Sequence, residues 1–174
     1  MIVAVVLAAG ASTRFGSPKQ EVLLDRVLER ARKSSVDDVL VVLGAHRVAV
    51  DARSISCPEW ERGPGASLRC GLAALGPEVE AAVVVLGDGP TLDPRAVDRV
   101  IAAWRETGAA RLAATYGGTR LHPVLLAREA WSDIPDAGLR DVPAMSVACD
   151  DLEPPGDVDY PTEQGSDPPG SDPF

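Results

Sequence analysis

The stretch that most constrains this chain is its opening. Ile2 to Leu7 is an unbroken apolar run rich in β-branched residues, and it gives way at once to Ala8-Ala9-Gly10-Ala11-Ser12. A strand without polar alternation has both faces buried, which places it at the centre of a parallel sheet flanked by helices. The small residues that follow let main-chain N–H groups approach an anion, and Arg14 and Lys19 add mobile positive charge. The spacing separates this loop from two familiar ones. Gly10 to Gly16 is one residue too long for a Walker A loop, no Lys-Ser/Thr follows Gly16, and the G-x-G-x-x-G of dinucleotide-binding folds is absent. On residue types alone, an ordinary strand-to-helix turn with two surface cations accounts for the stretch equally well.

The rest of the chain alternates strand and helix patterns. Glu21 to Lys33 carries Val22, Leu23, Val27, Leu28 and Ala31 at helical spacing, and Val39 to Leu43 is a second apolar strand closed by Gly44. A strand–loop–helix–strand unit of this kind predicts a parallel pair with a right-handed crossover. His46 to Ser56 is uninformative beyond a short strand near Ile55–Cys57, and His46, with no ligand-like neighbours, reads as a surface or capping residue. Gly63-Pro64-Gly65 then leads into a helix with Ser67 in its first turn, where a hydroxyl and free N–H groups serve either a ligand or a cap.

Ala81 to Leu86 is the second fully apolar strand, and it ends in Gly87-Asp88-Gly89-Pro90. A carboxylate at the carboxyl end of a central parallel strand stands where open α/β sheets bind ligands, and its oxygens suit Mg²⁺. A turn-forming aspartate before Pro90 is the alternative. Asp93-Pro94 opens a helix that runs to Thr107, with Val97, Val100, Ile101 and Trp104 on one face. Arg111–Tyr116, Gly117-Gly118 and Leu121–Leu126 predict a hairpin, hence a mixed sheet, and Met145–Ala148 a last strand. If Asp157 to Asp159 is extended, both carboxylates point to one side. The Gly/Ser/Asp/Pro-rich end, 164–174, predicts a disordered tail after a single domain over 1–163.

Composition narrows the ligand. A net charge of −9 argues against a broad basic face for nucleic acid, so any polyanion must be met locally by a few cations, main-chain N–H groups and a divalent metal. Cys57, Cys70 and Cys149 are odd in number and form no C-x-x-C pair. They predict neither zinc nor a disulfide framework, and with no membrane-length apolar stretch they point to a reducing cytoplasm.

Together these residues carry a specific resemblance. Leu7-Ala8-Ala9-Gly10-Ala11-Ser12-Thr13-Arg14-Phe15-Gly16 with Lys19 resembles L-A-A-G-x-S-x-R-[MF]-G-x-x-K, the signature loop of the MobA-like nucleotidyltransferases. Four further segments resemble family motifs in the expected order: Trp60–Leu72, the Leu-x-Asp-x-Pro element at Asp88, Gly118–Val124 with Asp136–Arg140, and Asp157–Glu163. The resemblance implies a Rossmann-like, three-layer α/β nucleotidyltransferase fold with a mostly parallel, mixed sheet. Leu-Ala-Ala-Gly and His-Pro-Val resemble the molybdenum cofactor cytidylyltransferase branch. The implied reaction is transfer of CMP from CTP to a phosphorylated acceptor, molybdopterin, with release of pyrophosphate and hand-over of the product to molybdoenzymes.

The roles are implied with it. Arg14, Lys19 and Asp88 would be catalytic; Leu7, Ala8, Ala9, Gly10, Arg14, Lys19 and Ser67 would bind nucleotide. Arg120, His122 and Arg140 would bind acceptor, and Asp88 and Asp159 would hold Mg²⁺. The chain departs from the pattern in two places: it passes from Lys19-Gln20 almost directly into a helix, and Leu121 replaces a glycine. Two alternatives therefore stand beside the cytidylyltransferase: a transferase of the same fold with another acceptor, such as a sugar phosphate, and a nucleotide- or cofactor-binding module without turnover.

Overall fold

A computed structural model describes residues 1–10, 17–44 and 49–156, with the side chains of 17–22 left out. Arg14, His46, Asp157, Asp159 and the 164–174 segment lie outside the described residues. The strands are β1 (Ile2–Ala8), β2 (Asp38–Leu43), β3 (Arg53–Ser56), β4 (Ala81–Leu86), β5 (Arg111–Tyr116), β6 (Thr119–Ala127) and β7 (Met145–Ala148). The helices are α1 (Ser17–Arg32), α2 (Pro64–Ala73) and α3 (Pro94–Thr107).

The strands form one seven-stranded sheet in the order β3-β2-β1-β4-β6-β5-β7. β1 pairs in parallel with β2 and with β4, whereas β6 runs antiparallel between β4 and β5. This is the mixed, mostly parallel sheet that the apolar runs and the glycine hairpin predict.

The opening run is buried because alternate side chains enter two separate cores. Ile2, Ala4 and Val6 pack with Leu24, Val27 and Leu28 of α1 and Val97, Val100 and Ile101 of α3. Val3 and Val5 face the other way, against Leu68 and Leu72 of α2, with Ile134 and a half-buried Trp131. Each fully buried Val or Leu contributes about 1.5–3 kcal/mol to burial, so neither face of β1 can be turned to solvent. The result is a three-layer sandwich. α3 begins as expected: the Asp93 side chain accepts from the Arg95 N–H at 2.9 Å, with Pro94 in the first turn. α1, by contrast, starts at Ser17 rather than Glu21, so Lys19 falls in its first turn.

The cysteines require a correction. Cys57 and Cys70 are joined in a disulfide with Cα atoms 5.7 Å apart, and only Cys149 is free, in the core. The spacing of 13 residues carries no disulfide signature; packing of α2 over the end of β3 brings the two together. A disulfide is uncommon in a reducing cytosol, so the cysteines lend no weight to a cytoplasmic location. Among the described residues, no helix is long and apolar enough to cross a membrane.

Candidate functional site

The chain path reverses between β1 and β4. From β1 it runs outward through β2 and β3, then returns to place β4 on the other flank of β1. Such a switch point opens a crevice at the carboxyl ends of the two strands, where ligands bind in sheets of this kind. The segments after both strands carry sequence-derived candidates, and main-chain contacts hold them together. The register sets Leu7 beside Leu86, and the Gly87 N–H donates to the Leu7 carbonyl at 2.9 Å. A Cβ at Gly87 would come within 3.0 Å of Ala8 Cβ and 3.2 Å of the Leu7 carbonyl oxygen, so only glycine lets the two segments meet without adjustment. Asp88 follows directly, with an exposed side chain. Leu7–Gly10 and the Asp88 turn therefore stand side by side at the carboxyl ends of the two strands. Gly44, after β2, abuts the Ala9 carbonyl and Trp60.

A third segment reaches the same edge. The Thr91 N–H donates to the Pro155 carbonyl at 3.1 Å, and its hydroxyl to the Pro154 carbonyl at 2.8 Å. Gly89 lies so near this segment that a Cβ on it would stand 3.3 Å from the Gly156 carbonyl oxygen. Residue 156 thus abuts the Asp88 loop. Among the described residues, no group of three or more His, Cys, Asp or Glu forms a ready metal site.

Ser67 is the fourth residue of α2 and is buried at 2% exposure. Of the two uses the sequence left open for the N–H groups around it, they serve a cap within the protein. The Ala66 and Ser67 N–H groups return to the Gly63 carbonyl, and the Gly65 N–H donates to the Asp136 carbonyl at 3.0 Å. The helix start has no side-chain cap, because a distant segment takes that place.

The residues expected to meet an acceptor divide. Arg120 donates to the Val142 carbonyl at 2.7 Å, to the Leu139 carbonyl at 2.5 Å and to the Arg140 carbonyl. Arginine's planar fork suits several carbonyls converging on one loop, and sequence alone cannot distinguish that use from ligand binding. His122 is half-buried, and burial, reinforced by the Arg120 charge, lowers its pKa to about 4. It is neutral at pH 7 and offers a hydrogen bond, not a charge. Arg140 and Leu121 are exposed.

Sequence reading also missed the hub of this region. The Asp136 carboxylate accepts from Arg69 and, at 3.1 Å, from Arg62. Arg69 also donates to the Ile134 carbonyl at 2.5 Å. The Arg69 hydrogen bond, reinforced by Arg62, holds the Asp136 carboxyl below the usual range. Asp136 stands first in the D-x-G-x-R resemblance, but its partners lie 67 and 74 residues away, beyond any local pattern.

An open, mostly parallel sheet with a glycine loop and a carboxylate meeting at its switch point defines an α/β fold of the nucleotide-binding class. More particularly, the chain belongs to the MobA-like NTP transferase family, whose domain profile matches residues 4–149. Bifunctional protein GlmU of Sorangium cellulosum is 32% identical over 133 residues, covering 64% of this chain and 28% of that protein. The chain spans about a quarter of the length of such relatives. The crystal structure of Rv0371c from Mycobacterium tuberculosis H37Rv aligns with a TM-score of 0.74 at 28% identity, covering 91% of this chain and 92% of that one. A manganese complex of Rv0371c aligns at 0.66 and 26%, covering 84% and 87%.

Proposed function

We propose that this protein transfers CMP from CTP to a phosphorylated acceptor, molybdopterin, with release of pyrophosphate. The observation that carries the reading is the Gly87 N–H bond to the Leu7 carbonyl, which holds Asp88 against the end of the phosphate-loop strand. In this reading the main chain of Leu7 to Gly10, with Arg14 and Lys19, receives the triphosphate, and Ser67 lies on the nucleotide side. His122 and Arg140 face the acceptor, and Arg120 shapes the loop that carries Arg140.

In this reading Asp88 and Asp159 would hold a hard divalent cation. Asp88 supplies carboxylate oxygens at the crevice, and Asp159 follows the docked Gly156 by three residues, within a chain reach of about 10 Å. The manganese complex of Rv0371c supports use of a divalent cation, and we propose Mg²⁺ here. When bound, the ion would neutralise charge on the phosphate oxygens. The chain's own work is positioning: cations and N–H groups grip the triphosphate, and the glycine-tightened crevice aligns the α-phosphorus with the acceptor phosphate. Displacement by a phosphate oxygen needs little proton transfer by side chains, so a neutral His122 suffices as a hydrogen-bond partner.

The test is pyrophosphate release from each NTP with Mg²⁺ and molybdopterin, beside thermal stabilisation by each NTP. Release selective for CTP is expected. CTP binding without release would assign a binding module, and release with a sugar phosphate alone would reassign the acceptor. Asp88→Ala should abolish release with stability changed by no more than about 0.5 kcal/mol, because the side chain is exposed. Full activity in that variant would overturn the metal assignment.

A further inference from the structure

The segment from Ile134 to Val142 is tied at one end to α2 and at the other to β6. At its start, the Ile134 carbonyl and the Asp136 carboxylate hold Arg69 of α2, two residues beyond Ser67. Asp136 also takes Arg62, in the turn before α2, and its carbonyl accepts the Gly65 N–H. Contact there is close: a Cβ at Gly65 would stand 1.7 Å from the Pro135 carbonyl oxygen, and one at Gly63 2.4 Å from that of Asp136. At the far end, Arg120 of β6 gathers the carbonyls of Leu139, Arg140 and Val142. One strap therefore links α2, which carries Ser67, to the β5–β6 hairpin.

We infer that Asp136 is a positioning residue: through Arg62 and Arg69 it sets α2, and with it Ser67, against the crevice, so that nucleoside recognition depends on a carboxylate that touches no substrate. The inference rests on the proposed nucleotide site and deepens it. A lone exposed ion pair would do little. Here one carboxylate takes two guanidinium groups while its main chain caps the helix they flank, and charge-assisted bonds sharing one acceptor act as a unit. A negative charge beside the start of α2 adds a favourable interaction with the helix dipole. The hydrogen bonds described for the strap run to α2, to the turn before it and to β6, so it should govern how the nucleoside is held rather than how the phosphates are held.

The difference is measurable with two ligands. In the full chain with Mg²⁺, Asp136→Asn should weaken CTP binding about tenfold, the scale on which members of one hydrogen-bond network couple, and leave inorganic tripolyphosphate binding unchanged. Asp136→Glu should recover most of the CTP affinity. Arg69→Lys, a milder change on the partner, should lower CTP affinity in the same direction, and it replaces Asp136→Asn if that variant does not fold. Equal CTP affinity in wild type and variants, or parallel loss of CTP and tripolyphosphate, overturns the inference. Absence of CTP binding in the wild type itself would instead overturn the nucleotide site, so the two failures are distinguishable.

Discussion

Gly65→Ala tests the packing of the strap with a single methyl group. Gly65 is the second residue of α2 and has no positive φ, so alanine brings no backbone strain and the effect is one of space. On helix propensity alone, alanine would stabilise by up to about 1 kcal/mol. Against this, the new Cβ would stand 1.7 Å from the Pro135 carbonyl oxygen and 2.8 Å from its carbon, both main-chain atoms that cannot rotate aside. Overpacking of this kind costs about 1–3 kcal/mol. Displacing the segment also loses the 3.0 Å Gly65–Asp136 hydrogen bond, a further loss of about 1 kcal/mol. The steric and hydrogen-bond terms win, leaving a net destabilisation of about 2 kcal/mol. For a chain of this size that is a drop in Tm of about 4–8 °C. Urea denaturation read by tryptophan fluorescence, beside a thermal melt, measures both quantities. A variant as stable as wild type, or more stable, would refute the close packing of residues 134–136 on α2.

Removing the Cys57–Cys70 cross-link with the double variant Cys57→Ser/Cys70→Ser should cost about 3 kcal/mol by unfolded-state entropy for a loop of this length. Titration of denatured, unreduced protein should find one thiol, that of Cys149, and three would refute the bond. Burial lowers the folded-state pKa of His122 from 6.5 to about 4, so between those values the unfolded chain binds the extra proton. Its contribution to stability should be full above pH 6.5, decline as pH falls and be lost below about 4; an unchanged profile in His122→Asn would count against it.

The architecture was legible because burial leaves a periodic trace. The runs Ile2–Leu7 and Ala81–Leu86 lack polar alternation, and in the sheet they are paired neighbours buried on both faces. Asp93-Pro94 marked the start of α3 through local capping chemistry, and Gly117-Gly118 marked the hairpin. The start of α1 was misread by four residues, since Ser17-Pro18-Lys19 carries no apolar periodicity to announce a helix.

What the sequence determined by itself was therefore the strand–helix order, the two central strands and the chemical kinds of side chain at their ends, because each depends on neighbours a few positions apart. Only the tertiary structure decided who meets whom. It brought Arg120 to three loop carbonyls, joined Cys57 to Cys70, filled the first turn of α2 with Asp136 and laid Gly156 beside the Asp88 loop. Those partners stand tens of residues apart along the chain, and their choice follows from how two helical layers close over one twisted sheet, which no local pattern records.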